Sequence, residues 1–160
     1  MNGLSLAKGL ATDIADLARM ATAAVLSAVT QGFALLVNRP ADWSATHTPA
    51  VNIVATISKA AGGAGVRHVC TSISARILGG TVAPAAVQGT LVLRDGASGV
   101  GTIIWSQTVV LAAAVGAKDE VKISGLNIIG SANAAMTLEF IAAGGLNTFE
   151  SVSLTGYSVA

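Results

Sequence analysis

The chain is predicted to be mainly β: an antiparallel β-sandwich of about eight strands, jelly-roll-like, preceded by a long N-terminal amphipathic α-helix. Three observations carry this. From residue 51 onward, short Val/Ile/Thr/Ser-rich runs recur with glycine clusters between them, the pattern of many short strands joined by turns. No helical segment separates those runs, which selects a sandwich over an alternating α/β fold. Before residue 40 the chain is instead rich in Ala and Leu and free of proline, with apolar positions recurring at helical spacing.

Residues 4–37 read as one helix, stopped at Asn38-Arg39-Pro40. Thr12, Asp16, Arg19, Ala23, Ser27 and Thr30 advance by steps of three or four and make its polar stripe. Ile14, Ala18, Ala21, Val25, Ala28, Gly32 and Leu36 make the opposite face. That face is assigned to assembly, as a bundling or docking surface, because Ala18, Ala21, Ala28 and Gly32 let a second helix come close. The uncharged run from Met20 to Asn38 also admits a membrane anchor over residues 20–37. A spanning helix needs about 20 predominantly apolar residues, and Thr22, Ser27, Thr30, Gln31 and Gly32 dilute this one. A secretion signal fits less well: Asp13 and Asp16 precede the run, and no small-x-small cleavage site follows it.

The chain is therefore divided into a helix at 1–39, a connector at 40–50 and a sandwich domain at 51–160. The connector, "PADWSATHTPA", is bounded by prolines and reads as extended. Strands follow in "AVNIVATISKA", where Val51, Ile53, Ala55 and Ile57 alternate with polar residues, and in "VRHVCTSISARIL", which sets Val69, Ile73 and Ile77 on one face. "VQGTLVLRD", "TIIWSQTVVL", "DEVKISGL", "AAMTLEFIA" and "ESVSLTGYSV" complete the set. Leu91, Leu93, Ile103, Trp105, Ile123, Met136, Leu138, Phe140 and Leu154 are the expected core.

Composition narrows the function. Of 160 residues, 52% are hydrophobic and only 11% charged, against roughly 25% charged in average soluble domains. A surface this poor in charge suits contact with other subunits better than contact with water alone. The formal net charge of +1 and the absence of basic runs leave no footprint for nucleic acid. The single cysteine, Cys70, excludes an intramolecular disulfide.

No constellation of residues carries chemistry. A metal site built from His47, His68 and Cys70 would need ligands from a connector and a strand, without the short spacing of ordinary sites. No Ser-His-Asp or Cys-His arrangement can be assigned. "GGAGVRH" lacks the Lys-Ser/Thr of a phosphate-binding loop, and the glycines of "GASGVG" are wrongly spaced for a dinucleotide site. Both join strand to strand and read as turns. Asp95, Asp119, Glu139 and Glu150 could supply a carboxylate pair, but nothing in their spacing favours one. Adjacent Asp119 and Glu120 point to opposite faces of a strand. Catalytic, cofactor-binding and metal-binding residues are all expected to be none.

The runs "DWSATHTPA", "ATISKAAGGAGVRHVCTSISARI", "LRDGASGVGTIIWS", "ISGLNIIGSANAAMTLEF" and "ESVSLTGYSVA" resemble small β-sandwich structural proteins of tailed-bacteriophage virions. These serve as capsid decoration proteins, head spikes or short fibres, commonly trimeric or otherwise oligomeric. The resemblance spans residues 42–160 and leaves the N-terminal helix unmatched. It implies a non-enzymatic virion structural protein, assembled in the host cytoplasm and located on the capsid or tail surface of the phage particle. Its expected partners are its own copies, in a homo-oligomer with a trimer favoured, and a major capsid or other virion protein. Two alternatives stand beside it. One is a membrane-attached sandwich anchored by residues 20–37. The other is a carbohydrate or host-receptor module, for which Trp43, Trp105 and Tyr157 are the only Trp/Tyr stacking candidates. Trp105, alternating with Ile103 and Gln107, is expected to be buried. Trp43 is expected to pack against the sandwich or a neighbouring chain.

Overall fold

The computed structural model describes residues 42–160. The predicted helix of residues 4–37, its face of Ile14, Ala18, Ala21, Val25, Ala28, Gly32 and Leu36, and the stretch 20–37 lie outside the described residues. Among the described residues, no helix is long and apolar enough to cross a membrane. Eight strands are present: β1 Trp43–His47, β2 Thr56–Lys59, β3 Arg67–Gly79, β4 Val87–Asp95, β5 Thr102–Leu111, β6 Lys118–Ile129, β7 Met136–Phe140 and β8 Thr148–Val159. They form two antiparallel sheets, sheet A in the order β1-β8-β3-β6 and sheet B in the order β2-β7-β4-β5.

The pairing is that of one long hairpin rolled on itself. β4 pairs β5 at its tip, then β3 pairs β6, β2 pairs β7 and β1 pairs β8, each antiparallel. Rolling places alternate pairs in opposite sheets, which is the jelly-roll arrangement. The core lies between the sheets. Cys70, Ile73, Ile77, Val152 and Leu154 of sheet A face Leu91, Leu93, Val109, Leu111, Met136, Leu138 and Phe140 of sheet B, all essentially inaccessible to water. The opposite face of sheet A is lined with small hydroxyls that bond across strands: Ser44 with Thr155 at 3.3 Å, Thr46 with Ser153 at 3.0 Å and Thr48 with Ser151 at 3.2 Å.

Six of the expected core residues are buried: Leu91, Leu93, Met136, Leu138, Phe140 and Leu154. Three expectations are corrected. Ile103 is 46% exposed, because a bulge opposite Leu93 and Arg94 adds a residue to β5 and breaks the two-residue alternation. Ile123 and Trp105 are half-buried, since each lies on an edge strand that a neighbour covers on one side only. A second bulge, between Cys70 and Ser72, puts Cys70 in place of Val69 on the face of Ile73 and Ile77.

The first strand also differs. The segment read as a connector carries β1, and "AVNIVATISKA" is strand only over Thr56–Lys59. Asn52 adopts φ of 66°, in the left-handed region open to Asn, and the Ile53 N–H bonds the Ala50 carbonyl at 3.2 Å to close a turn.

Gly156 shows how closely β1 is held. A Cβ there would lie 2.0 Å from the Val69 carbonyl oxygen and 2.6 Å from a Trp43 ring carbon. The indole therefore rests on the bare backbone, its Nε1–H donating to the Ser158 hydroxyl at 3.3 Å. Gly156→Ala is expected to lower stability by at least about 2 kcal/mol, read from the urea midpoint of tryptophan fluorescence. A midpoint equal to that of the parent chain would contradict this packing.

Candidate docking surface at the loop end

The nested hairpin gathers four connections at one end of the sandwich: residues 48–55, 80–86, 112–117 and 141–147. None contains Lys, Arg, Asp or Glu. They carry most of the large apolar side chains left exposed among the described residues: Val51, Ile53, Val82, Val115, Ile141 and Leu146, with Phe149 at the start of β8. Leu146 is 72% exposed and Val115 63%, which no requirement of folding explains. Between them lies an open pocket of about 560 Å³, lined chiefly by Val51, Leu78, Val82, Val115 and Phe149 over the backbone of Gly79, Gly80 and Gly116. At the opposite end, residues 60–66, 96–101 and 130–135 are mostly Gly, Ala, Ser and Asn, and Val100 is their one exposed large apolar residue.

The loop end is tied together by backbone hydrogen bonds. The N–H of Gly79 bonds the Ala117 carbonyl at 2.7 Å, that of Gly80 the Asn147 carbonyl at 2.8 Å, and that of Asn52 the Thr148 carbonyl at 2.9 Å. Beneath them the Glu150 carboxyl, 2% exposed, accepts from the Ala55 N–H at 2.8 Å and the Gly144 N–H at 2.7 Å, joining two of the four loops. Burial pushes its pKa up, and these two bonds offset only part of that. A surface so braced would lose little conformational freedom on being covered.

The residues weighed for chemistry are placed apart and engaged structurally. His47 Nδ1 accepts from the Thr56 N–H at 3.1 Å. His68 is buried: its Nε2–H donates to the Ala60 carbonyl at 2.7 Å, and Nδ1 meets the Ser158 hydroxyl at 2.9 Å. Cys70 lies in the core, where burial pushes its thiol up to about 12, far from a nucleophile's range. Among the described residues no three His, Cys, Asp or Glu side chains converge to hold a metal ion.

The four carboxylates do not pair. Asp95 accepts from the Ser131 N–H at 2.9 and 3.0 Å, and Asp119 from the Val110 N–H at 2.8 Å. Glu139 is buried against Arg94, whose Nε donates to it at 2.5 Å. Ser98 and the Gly99 N–H donate to the same carboxylate. Burial raises the Glu139 pKa, yet these donors together hold it below the ordinary carboxylate range. Of the stacking candidates, Trp43 and Trp105 are half-buried and Tyr157 is buried. Trp43 stands edge-on to His68 at 6.0 Å, Tyr157 is 8% exposed, and Trp105 packs against the core. Sequence reasoning registered the shortage of charge but not where it concentrates. The signal available was four uncharged inter-strand segments that each carry a large apolar residue.

No protein-family model and no curated protein matches the chain. Among solved structures, similarity is found to one described as "CBM4 structure and function", at 15% identity over 72% of each chain and a TM-score of 0.40. Desmodium yellow mottle tymovirus is similar at 13% identity over 78% of this chain and 92% of that one, with a TM-score of 0.37. Infectious bursal disease virus, Gx strain, is similar at 16% identity, TM-score 0.34, over 74% of this chain and 33% of that one.

The two buried carboxyls predict opposite pH slopes. Glu139, held below its unfolded value, contributes stability that is present above the ordinary glutamate range and lost as pH falls through its lowered pKa. Glu150, held above its unfolded value, contributes stability that is present below that range and lost as pH rises through its raised pKa. Urea unfolding of Glu139→Gln between pH 3 and 7 should therefore show a deficit that grows with pH, reaching about 3 kcal/mol for a broken buried pair. The deficit of Glu150→Gln should shrink over the same range. Parallel curves would contradict both assignments.

Proposed function

We propose that this chain is a non-enzymatic structural protein of a bacteriophage virion, a capsid decoration, spike or related accessory component that self-assembles and docks on other virion proteins. The observation that carries this reading is the braced, uncharged loop end, which presents Val51, Val82, Val115, Leu146 and Phe149 to water with no charge in the four loops. Burying such a surface contributes roughly 25 cal/mol per Å² of apolar area, before the costs of association. A catalytic pocket gathers converging polar groups, whereas this one is walled mainly by valines, a leucine and a phenylalanine, with Thr81 and Asn147 its only polar side chains. The sequence resemblance to phage β-sandwich proteins supplies the setting: the capsid or tail surface, with a major capsid or other virion protein as the docking partner. The amphipathic pattern of residues 4–37 supplies, in this reading, a further element for bundling copies.

The double variant Val82→Asp/Val115→Asp places two charges in the loop end without touching a core residue. Supplied in place of the parent chain during particle assembly, it is expected to keep the parent's circular dichroism and to be depleted at least tenfold from purified particles. Incorporation equal to that of the parent chain would overturn docking through the loop end.

A further inference from the structure

Four strands end the two sheets, and three of them carry ordinary protection against pairing with another chain. β1 and β2 are five and four residues long. β6 bears Lys118, Asp119, Glu120 and Lys122. β5 differs: ten residues, "TIIWSQTVVL", with no charge, no proline and no glycine. It pairs only with β4 among the described strands.

The register of the β4–β5 pair fixes which of its backbone groups are free. The Val110 N–H leaves the ladder to bond Asp119 at 2.8 Å, so it points away from β4. Thr90, opposite Thr108, uses its carbonyl for the Ile141 N–H of the chain beyond β7, the other side of β4. By the alternation of an antiparallel ladder, Thr108 and Ser106 therefore direct N–H and C=O outward with Val110. The free stretch has two limits. At one side is the bulge at Ile104, where the register slips opposite Leu93 and Arg94. At the other is the Asp119 cap on Val110. The unbroken free edge is Trp105–Val109, and its midpoint is Gln107.

We propose that β5 pairs antiparallel with β5 of a second copy, about a two-fold axis at Gln107, joining two B sheets into one continuous sheet. This register sets Ser106 opposite Thr108 twice, giving four backbone hydrogen bonds without displacing either Asp119. Thr108's carbonyl already accepts from the Gln107 side chain at 3.2 Å and keeps a second lone pair for the partner. Every facing pair is compatible. Trp105 stands opposite Val109, whose side chain is already buried in its own core, Ser106 meets Thr108, and Gln107 meets Gln107, an amide able to donate and accept to its own copy. No charge is brought opposite a like charge. The half-buried Trp105, uncovered on its outer side, gains the cover that β5 lacks as an edge. A two-fold contact of this kind is self-complementary and closes after two copies. The pairing rests on the self-assembly reading of the chain and uses residues other than those of the Val82/Val115 loop end, so the two can fail separately.

Gln107 is exposed, so it can be charged without disturbing the core. In light scattering of the full chain, Gln107→Lys and Gln107→Glu are each expected to halve the mass measured for the parent chain, since each sets two like charges at the axis. An equimolar mixture of the two should restore it. The Val82→Asp/Val115→Asp variant should leave the mass unchanged while losing particle incorporation. Independently, the Ser106 and Thr108 amides, which have no strand partner among the described residues, should exchange with solvent at least tenfold more slowly in the assembled state than on dilution. A parent chain that is monomeric, a mass unaltered by Gln107→Lys, or fast exchange at both amides in the assembled state would each overturn the pairing.

Discussion

Strand β3 is bonded on both edges, to β8 from Arg67 to Gly79 and to β6 from Val69 to Leu78. Everything sheet A can bury follows from which of its side chains face inward. Alternation alone would send Val69, Ile73 and Ile77 to one side. The bulge between Cys70 and Ser72 changes the phase once, so that Cys70, Ile73, Ala75 and Ile77 line the core, while Ser72, Ser74 and Arg76 turn outward. That single slip also lets Gly156 come opposite Cys70, which creates the bare backbone on which Trp43 lies. The inner face of one strand thus positions its two neighbours and, through β8, the first strand of the sandwich.

The same period-two logic explains how far the sequence could be read. β3 to β8 were legible because branched apolar residues alternate within them and glycine or small polar residues separate them. β1 was not, because "WSATH" shows no branched aliphatic residue and its partners lie more than a hundred residues away. The opposite error occurred at Val51 and Ile53, where a convincing alternation is cut by a turn that Asn52 can adopt and most residues cannot. Ile103 was misplaced by a bulge, which leaves no mark in a hydrophobic pattern. The apolar loop end was invisible for a different reason. Val51, Val82, Val115 and Leu146 are isolated residues in separate loops, and only the nested pairing brings them to one end.

Charge is distributed to serve this architecture and not to decorate it. Glu139 and Arg94 fasten the β4–β5 loop over sheet B, Glu150 braces two loops from below, Asp95 holds the β6–β7 turn, and Asp119 closes one end of the β5 edge. Among the described residues the largest group of exposed charges lies on β6, at Lys118, Glu120 and Lys122. The outward hydroxyls of sheet A bond to one another across strands and so largely satisfy themselves. The loop end and the β5 edge therefore present apolar, hydroxyl and amide groups, whose interactions respond weakly to ionic strength.

The nested order of pairing also sets a sequence of events in time. The β4–β5 hairpin closes a six-residue turn, residues 96–101, whereas Trp43 meets Ser158 across a separation of 115 residues. Closure entropy rises with the logarithm of the enclosed length, and each outer pair finds its partner already near once the inner pair has formed. Zipping from the β4–β5 tip toward β1–β8 is therefore the low-entropy route. It makes the indole of Trp43 the last large side chain to find its seat, and its fluorescence in a stopped-flow refolding trace the reporter of that final step.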